Sequence, residues 1–402
     1  MKRVLHPTTT GDLAEPQADP AFAATLVAWQ RTHGRHSLPW QNTRDPYRVW
    51  LSEIMLQQTQ VAAVIPYYRK FLERFPDIAS LAAAPSEAVM AHWSGLGYYS
   101  RARNLHRCAQ QVMASYGGVF PSDPALLAEL PGIGRSTAAA VAAFSFDAHA
   151  AILDGNVKRV FARVFGVDGY PGERRTEQRL WRLAIDLLPS APALQEKEAA
   201  DAALAPSDLQ AYTQGLMDLG ATLCTRSKPA CGHCPVADRC IALATGRVAE
   251  LPVRKPKKTI PQRHAVMLVV TYRQQVLLMQ RPDSGIWGGL LSLPELDGFT
   301  DLAPIAPDTQ ALRTERNSAI ACLLAPFGSV AQCEPLQPFS HGFTHFRLQV
   351  VPYRVQLAGR CDRIGESAEV WRDIAGLGTA PLPAPVKKLL LEMFERNDLF
   401  AG

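Results

Sequence analysis

Seventeen residues past the middle of the chain constrain it most. Residues 224–240 read CTRSKPACGHCPVADRC and hold four of the eight cysteines, Cys224, Cys231, Cys234 and Cys240, at spacing C-x6-C-x2-C-x5-C. Four thiolates packed this closely repel one another unless cations neutralise them, and zinc and iron–sulfur clusters both do so. The spacing alone leaves both open. Clustered cysteines in a reducing compartment argue for metal rather than disulfides. Pro229 and Pro235 restrict the loop and lower the entropy lost when metal binds. His233 sits between two of the cysteines, but four thiols suffice as ligands. Cys108, Cys322, Cys333 and Cys361 are scattered and read as ordinary thiols.

Around this loop the chain changes texture. Residues 21–247 alternate helical patterns with short Gly/Pro punctuation and read as all-α. The segments 50–68, 84–94, 100–117, 135–146 and 156–166 all suit helices, and Pro85 and Asp123–Pro124 stand at helix starts. Residues 1–20 read as a disordered tail. Residues 248–262 are basic and proline-bracketed, the composition of a linker that can also touch phosphates. Residues 263–402 switch to an α+β pattern. HAVMLVVTYRQQVLLMQRP gives two β-rich runs about a YRQQ turn, FRLQVVPYRVQL a strand pair or one long strand, and APVKKLLLEMFERN an amphipathic helix. No apolar run approaches the ~20 residues of a membrane helix, and the N-terminus lacks a continuous apolar core for a secretory signal. The expectation is a cytoplasmic, monomeric, multidomain protein. The net charge of +5 permits a polyanionic partner without demanding one.

Three further stretches carry chemistry. In LPGIGRSTA (130–138), Gly132 and Gly134 permit positive φ and close backbone approach. Successive N–H groups in such a turn, next to a helix N-terminus, can cradle a phosphate. In ILDGNVKRV, Asp154 stands at a helix start, where it can cap the helix and where an ionised carboxylate is favoured. In WLSEIMLQQTQV, a helix would set Glu53 among Val49, Trp50, Leu56 and Gln57, three of them apolar, so its pKa should rise. Two carboxylates in opposed environments suit acid and base work.

The cysteine spacing resembles the [4Fe–4S] loop of the endonuclease III superfamily of DNA glycosylases, which favours iron–sulfur over zinc. LPGIGRSTA, roughly 90 residues upstream, matches the same superfamily's helix-hairpin-helix. LPWQ, WLSEIMLQQTQVAAVIPYY, GLGYYSRARNL, ILDGNVKRV, QGLMDLGATLCTRSKPAC and QRPDSGIWGGLLSLPE extend the likeness to the MutY-type adenine DNA glycosylases, densely over residues 35–295. The resemblance implies a monofunctional enzyme with a [4Fe–4S] cofactor. Its partner would be double-stranded DNA carrying A:8-oxoguanine or A:G mispairs. Glu53 would protonate adenine N7, Asp154 would stabilise the sugar cation, and Asn156 would orient the centre. Gln214 would contact the extruded adenine; Gln58 and Tyr98 would enter the duplex near 8-oxoguanine. Arg101, Arg103, Arg226 and Lys228 are candidate phosphate contacts, with salt bridges an equal alternative for the first two. Ser136 stands where a lysine would serve a strand-cleaving relative.

The C-terminal region resembles the Nudix-like 8-oxoguanine recognition module of that family. Gly289 and Glu295 keep the first spacing of the Nudix box, but APIAPD (303–308) lacks its acidic run, so nucleotide hydrolysis is not expected. PFSHGFTHFRL (338–348) corresponds to the lesion-inspecting loop, with Phe343, Thr344 and His345 where Phe-Ser-His is usual. Two rival readings stand beside this one. The first is a bifunctional endonuclease III-like glycosylase/lyase for oxidised pyrimidines, which needs an amine nucleophile and has Lys158 nearby. The second is a non-catalytic iron–sulfur DNA binder.

Overall fold

Three helices begin on the dipeptide Asp-Pro: Asp19–Pro20, Asp45–Pro46 and Asp123–Pro124. In each, the Asp carboxylate accepts from the backbone N–H of the helix's second residue, while Pro occupies the first position, where no N–H is required. The computed structural model describes residues 18–190, 207–255, 260–282, 284–296, 310–343, 345–361 and 369–395. Of the expected tail at 1–20, residues 1–17 lie outside these, as do residues 256–259 of the expected linker, 303–308 of the box, and Thr344.

The N-terminal region is helical throughout. In chain order its helices are α1 Pro20–His33, α2 Pro46–Leu56, α3 Val61–Arg74, α4 Ile78–Ala82, α5 Ser86–Trp93, α6 Ser100–Tyr116, α7 Pro124–Ala128, α8 Arg135–Phe146, α9 Gly155–Val164, α10 Arg174–Asp186, α11 Asp208–Asp218 and α12 Ile241–Ala244. The periodic stretch 50–68 is not one helix. α2 stops at Leu56 because Gln57 turns extended (ψ 114°) and Gln58 takes a left-handed φ of 57°. Apolar spacing runs across this break and conceals it.

Packing groups the chain into two compact units, Met1–Gln58 with Gln111–Pro256, and Thr59–Gln110 with Lys257–Gly402. This grouping differs from the division at 247/263 read from texture. Within the second unit, Ser94 Oγ donates to the Leu382 carbonyl at 3.0 Å, and Arg103 donates to the Gly288 carbonyl. In the first unit, the core joins α1, α9, α10 and α11 through Phe22, Leu26, Val160, Phe161, Leu180 and Leu216. Gly215 lets α11 close on α1: a Cβ there would lie 3.0 Å from Leu26 Cγ.

The second unit carries a mixed sheet in the order β3-β2-β1-β7-β5, with β4 on β1, β6 on β7 and β8 on β2. β1 is Gln262–Tyr272, β2 Gln275–Gln280, β3 Leu291–Ser292, β4 Glu295–Leu296, β5 Val330–Pro335, β6 Phe339–Gly342, β7 Arg347–Leu357 and β8 Glu369–Asp373. β1 and β2 pair about the turn at Arg273 (φ 54°), as the YRQQ reading expected. FRLQVVPYRVQL is one long strand, β7, parallel to β1 from Gln262↔Arg347 to Thr271↔Gln356. Helix α13, Gln310–Leu324, packs Ile320 and Leu324 on the sheet, and α14 spans Ala384–Glu395. Among the described residues no helix is long and apolar enough to cross a membrane.

Candidate active site

Glu53 lies on α2 beside buried Trp50, Ile54 and Val49. The residue as a whole is half-buried, but its carboxyl is enclosed by protein. Burial first, and the charge of Asp154 second, push it up to about 8.

Asp154 is the N-cap of α9. It accepts from Val157 N at 2.8 Å and from Asn156 Nδ2 at 3.4 Å. The helix start was expected to keep it low. Burial instead raises it, while the Val157 and Asn156 N–H groups, the Asn156 amide and the Arg159 charge pull the other way. The two environments are thus opposed in kind: every cause acting on Glu53 raises it, whereas Asp154 has four that favour its charge.

Asn156 accepts from Arg159 Nη2 at 2.7 Å. Arg159 was not singled out in the sequence. It also donates to the Gly220 carbonyl at 2.7 Å and the Cys224 carbonyl at 2.7 Å. Its only signal was a place one turn along α9 from Asn156. Gly220 belongs to a π-turn, residues 219–223, that ends α11, and a Cβ there would stand 2.6 Å from Asn156 Cβ. Such wide turns recur at functional sites.

The hairpin joins α7 to α8. Gly132 adopts a φ of 79°, as expected. Gly134 does not use its freedom: it caps α8 at φ −90°, and a Cβ there would meet nothing within 4 Å. Ser136 Oγ accepts from Leu153 N at 2.9 Å, so the hydroxyl tethers the residue before Asp154. Arg135 covers the Trp181 ring at 3.8 Å. Lys158 is engaged by Glu177 at 2.5 Å.

Gln214 lies on α11 and donates to Asp218 Oδ1 at 2.8 Å. Gln58 is exposed at its left-handed φ. Tyr98 also has a positive φ, 50°, in a turn with Gly95 and Gly97, and is 48% exposed. Left-handed backbone at non-glycine residues costs on the order of 1–3 kcal/mol and gathers at working sites. Arg101 is not a free phosphate contact: it is 7% exposed and donates to Gly97 O and Thr59 Oγ1. Phe343 stacks on Phe346 (4.6 Å) in the β6–β7 hairpin, with Trp287 at 5.6 Å, and His345 is exposed. Within the second unit, Tyr98, Arg103, Trp287, His341, Phe343 and His345 line a cavity of about 480 Å³. Glu295, the surviving box acid, is paired with Arg281.

Cys224, Cys231, Cys234 and Cys240 ring a small cavity closed by Val160 and Arg163 of α9. Four thiols around one cavity suit a multi-iron cluster, in which each thiolate binds its own iron. Burial, then the Cys224, Cys240 and Cys231 charges, push Cys234 up to about 11, so the four need a cationic core to ionise together. His233 is exposed. Arg163 donates to Cys224 Sγ at 3.4 Å and to the Thr225 carbonyl at 2.7 Å.

The HhH-GPD superfamily base excision DNA repair protein model matches residues 51–184, the iron-sulfur binding domain of endonuclease III residues 224–240, and the NUDIX domain residues 265–392. The adenine DNA glycosylase of Buchnera aphidicola subsp. Acyrthosiphon pisum is 32% identical over 94% of this chain and 98% of its own length. That of the Schizaphis graminum subspecies is 33% identical over 93% and 99%. The adenine DNA glycosylase of Mus musculus is 35% identical over 69% of this chain and 60% of its own. Among solved structures, a thermostable thymine-DNA glycosylase aligns over 56% of this chain and 96% of its own, at 30% identity and a TM-score of 0.48.

Proposed function

With the chain's membership of the adenine DNA glycosylase family as premise, we propose that it removes adenine mispaired with 8-oxoguanine or guanine from duplex DNA, acting as a cytoplasmic monomer. It is a DNA N-glycosylase of base-excision repair, and residues 224–240 hold a [4Fe–4S] cluster. The cluster holds the loop in shape and supplies no electron to the reaction.

In this reading Glu53 enters neutral and donates its proton to N7 of the flipped adenine. The C1′–N9 bond then breaks, and its electron pair leaves with the base. Asp154, held by Val157 N and Asn156, faces the resulting sugar cation as a carboxylate. Water adds at C1′, and its proton returns to Glu53. The observation that carries the reading is the pairing of a carboxyl raised to about 8 with a second acid held by N–H donors. Gln214 would meet the base, Gln58 and Tyr98 would enter the stack, Gly132 and Gly134 would admit a phosphate, and Phe343, Thr344 and His345 would inspect the opposite base. Glu53→Gln should abolish adenine release while duplex binding persists; near-normal release would sink Glu53 as the acid.

A strand-cleaving reaction needs a free amine. Ser136 offers none, and Lys158 is engaged by Glu177. Borohydride trapping should therefore be weak; trapping as efficient as that of a true lyase would overturn the monofunctional reading.

A further inference from the structure

Asp218 is an odd residue for its position. It ends α11, where the helix dipole disfavours an anion, and it is 0% exposed. Arg35 compensates from the segment after α1. Its backbone N–H donates to Oδ2 at 2.9 Å, and its Nε donates to Oδ1 at 2.7 Å, with Nη2 also 2.7 Å from Oδ1. A carboxylate bound to guanidinium only accepts. The Gln214 atom 2.8 Å from Oδ1 must therefore be its nitrogen. Gln214 Oε1 is the amide atom left over from this contact and takes no partner among the described residues.

An amide is two-faced, and its flip decides what it reads. With nitrogen tied to Asp218, Gln214 shows a carbonyl acceptor and one remaining N–H. That pair matches an edge with an exocyclic amine beside a ring nitrogen acceptor, as adenine N6 and N1 provide. The opposite flip would match a carbonyl beside a ring N–H, as in hypoxanthine and guanine. We propose that the buried Asp218–Arg35 pair is a positioning device that locks the Gln214 amide in its amine-reading flip and thereby sets the base selectivity of the pocket. This rests on the reading of Gln214 as a substrate contact. In Asp218→Asn the new side-chain amide can accept or donate, so either flip of Gln214 finds a partner.

Single-turnover release is measured with the full-length, cluster-loaded protein on duplexes carrying adenine, unsubstituted purine or hypoxanthine opposite 8-oxoguanine. Gln214→Leu is the reference that cancels the leaving tendency of each base. Relative to it, the wild type should favour adenine over hypoxanthine by roughly ten- to a hundredfold, the worth of one mismatched hydrogen-bonding pair. Purine should fall between. Asp218→Asn should lose most of that preference; general structural damage would lower all three rates together and leave the ratio in place. A folded Asp218→Asn protein with the wild-type ratio overturns the proposal. Should that variant not fold, wild type against Gln214→Leu decides: equal ratios overturn the proposal, and a ratio lowered tenfold or more in Gln214→Leu supports it. A protein that releases no adenine fails the proposed function instead, whereas one that releases adenine and hypoxanthine alike fails only this inference.

Discussion

The Glu53 carboxyl links activity to stability through one proton. As a general acid it works only while neutral, so adenine release should fall as pH rises through about 8, and a single-turnover pH profile reads this directly. The same group weighs on folding. Its pKa lies near 4.5 when exposed and about 8 when folded, so the folded state holds the extra proton between those values. Stability from this group is whole below 4.5 and is lost as pH climbs to about 8. Thermal melts from pH 5 to pH 9 should show the wild type weakening more than Glu53→Gln, which has no charge to bury. Ser136 makes a smaller contribution. Ser136→Ala leaves Leu153 N unpaired, which should cost about 1–3 kcal/mol by denaturant titration and slow base release by loosening Asp154. Glu53 was legible in the sequence because helical spacing reveals apolar neighbours. The tether from Ser136 to Leu153 was not, because it joins residues 17 apart that only the folded hairpin brings together.

At the scale of elements, two glycines make opposite tests. Gly134→Ala meets no atom and keeps an ordinary φ, so the melting temperature should hold or rise slightly. On the proposed role of the hairpin its methyl group would stand in the phosphate approach, and duplex affinity should drop. A fall in melting temperature with unchanged affinity would reverse the assignment. Gly220→Ala drives a methyl into Asn156 and should cut base release at least tenfold, about 1.4 kcal/mol. Helices such as α8 and α9 were readable from apolar period and start signals, and β1–β2 from alternation about a polar turn. The break between α2 and α3 was not: Gln57 and Gln58 are good helix formers, and tertiary demands set their backbone against propensity. The π-turn after α11 has no sequence signature beyond Gly220.

At the scale of the molecule, the cysteine loop is part of a core rather than an appendage. Cys224, Cys234 and Cys240 pack against the cluster of apolar residues that α1, α9, α10 and α11 build. Losing one ligand should therefore be felt throughout the first unit. Cys231→Ser should lose iron, melt at lower temperature and bind duplex more weakly, all together; a stable, fully active Cys231→Ser protein would contradict this. The partition into units was not readable from texture, since composition separates helix from sheet but says nothing of which helices a sheet recruits. Helices α3 to α5 group with the C-terminal region by packing.

Arg281 shows how an inherited box has changed employment. It holds Glu295, donates to the Ile286 carbonyl at 3.0 Å and lies over the Trp287 ring at 5.8 Å. A hydrolase recruits a dissolved divalent ion to sit against such an acid. Here the positive charge is covalently part of the chain, available at every magnesium concentration and immune to chelators. The module thus carries its own counter-charge to Glu295, and the arginine that supplies it also frames Ile286 and Trp287, which line the cavity of about 480 Å³.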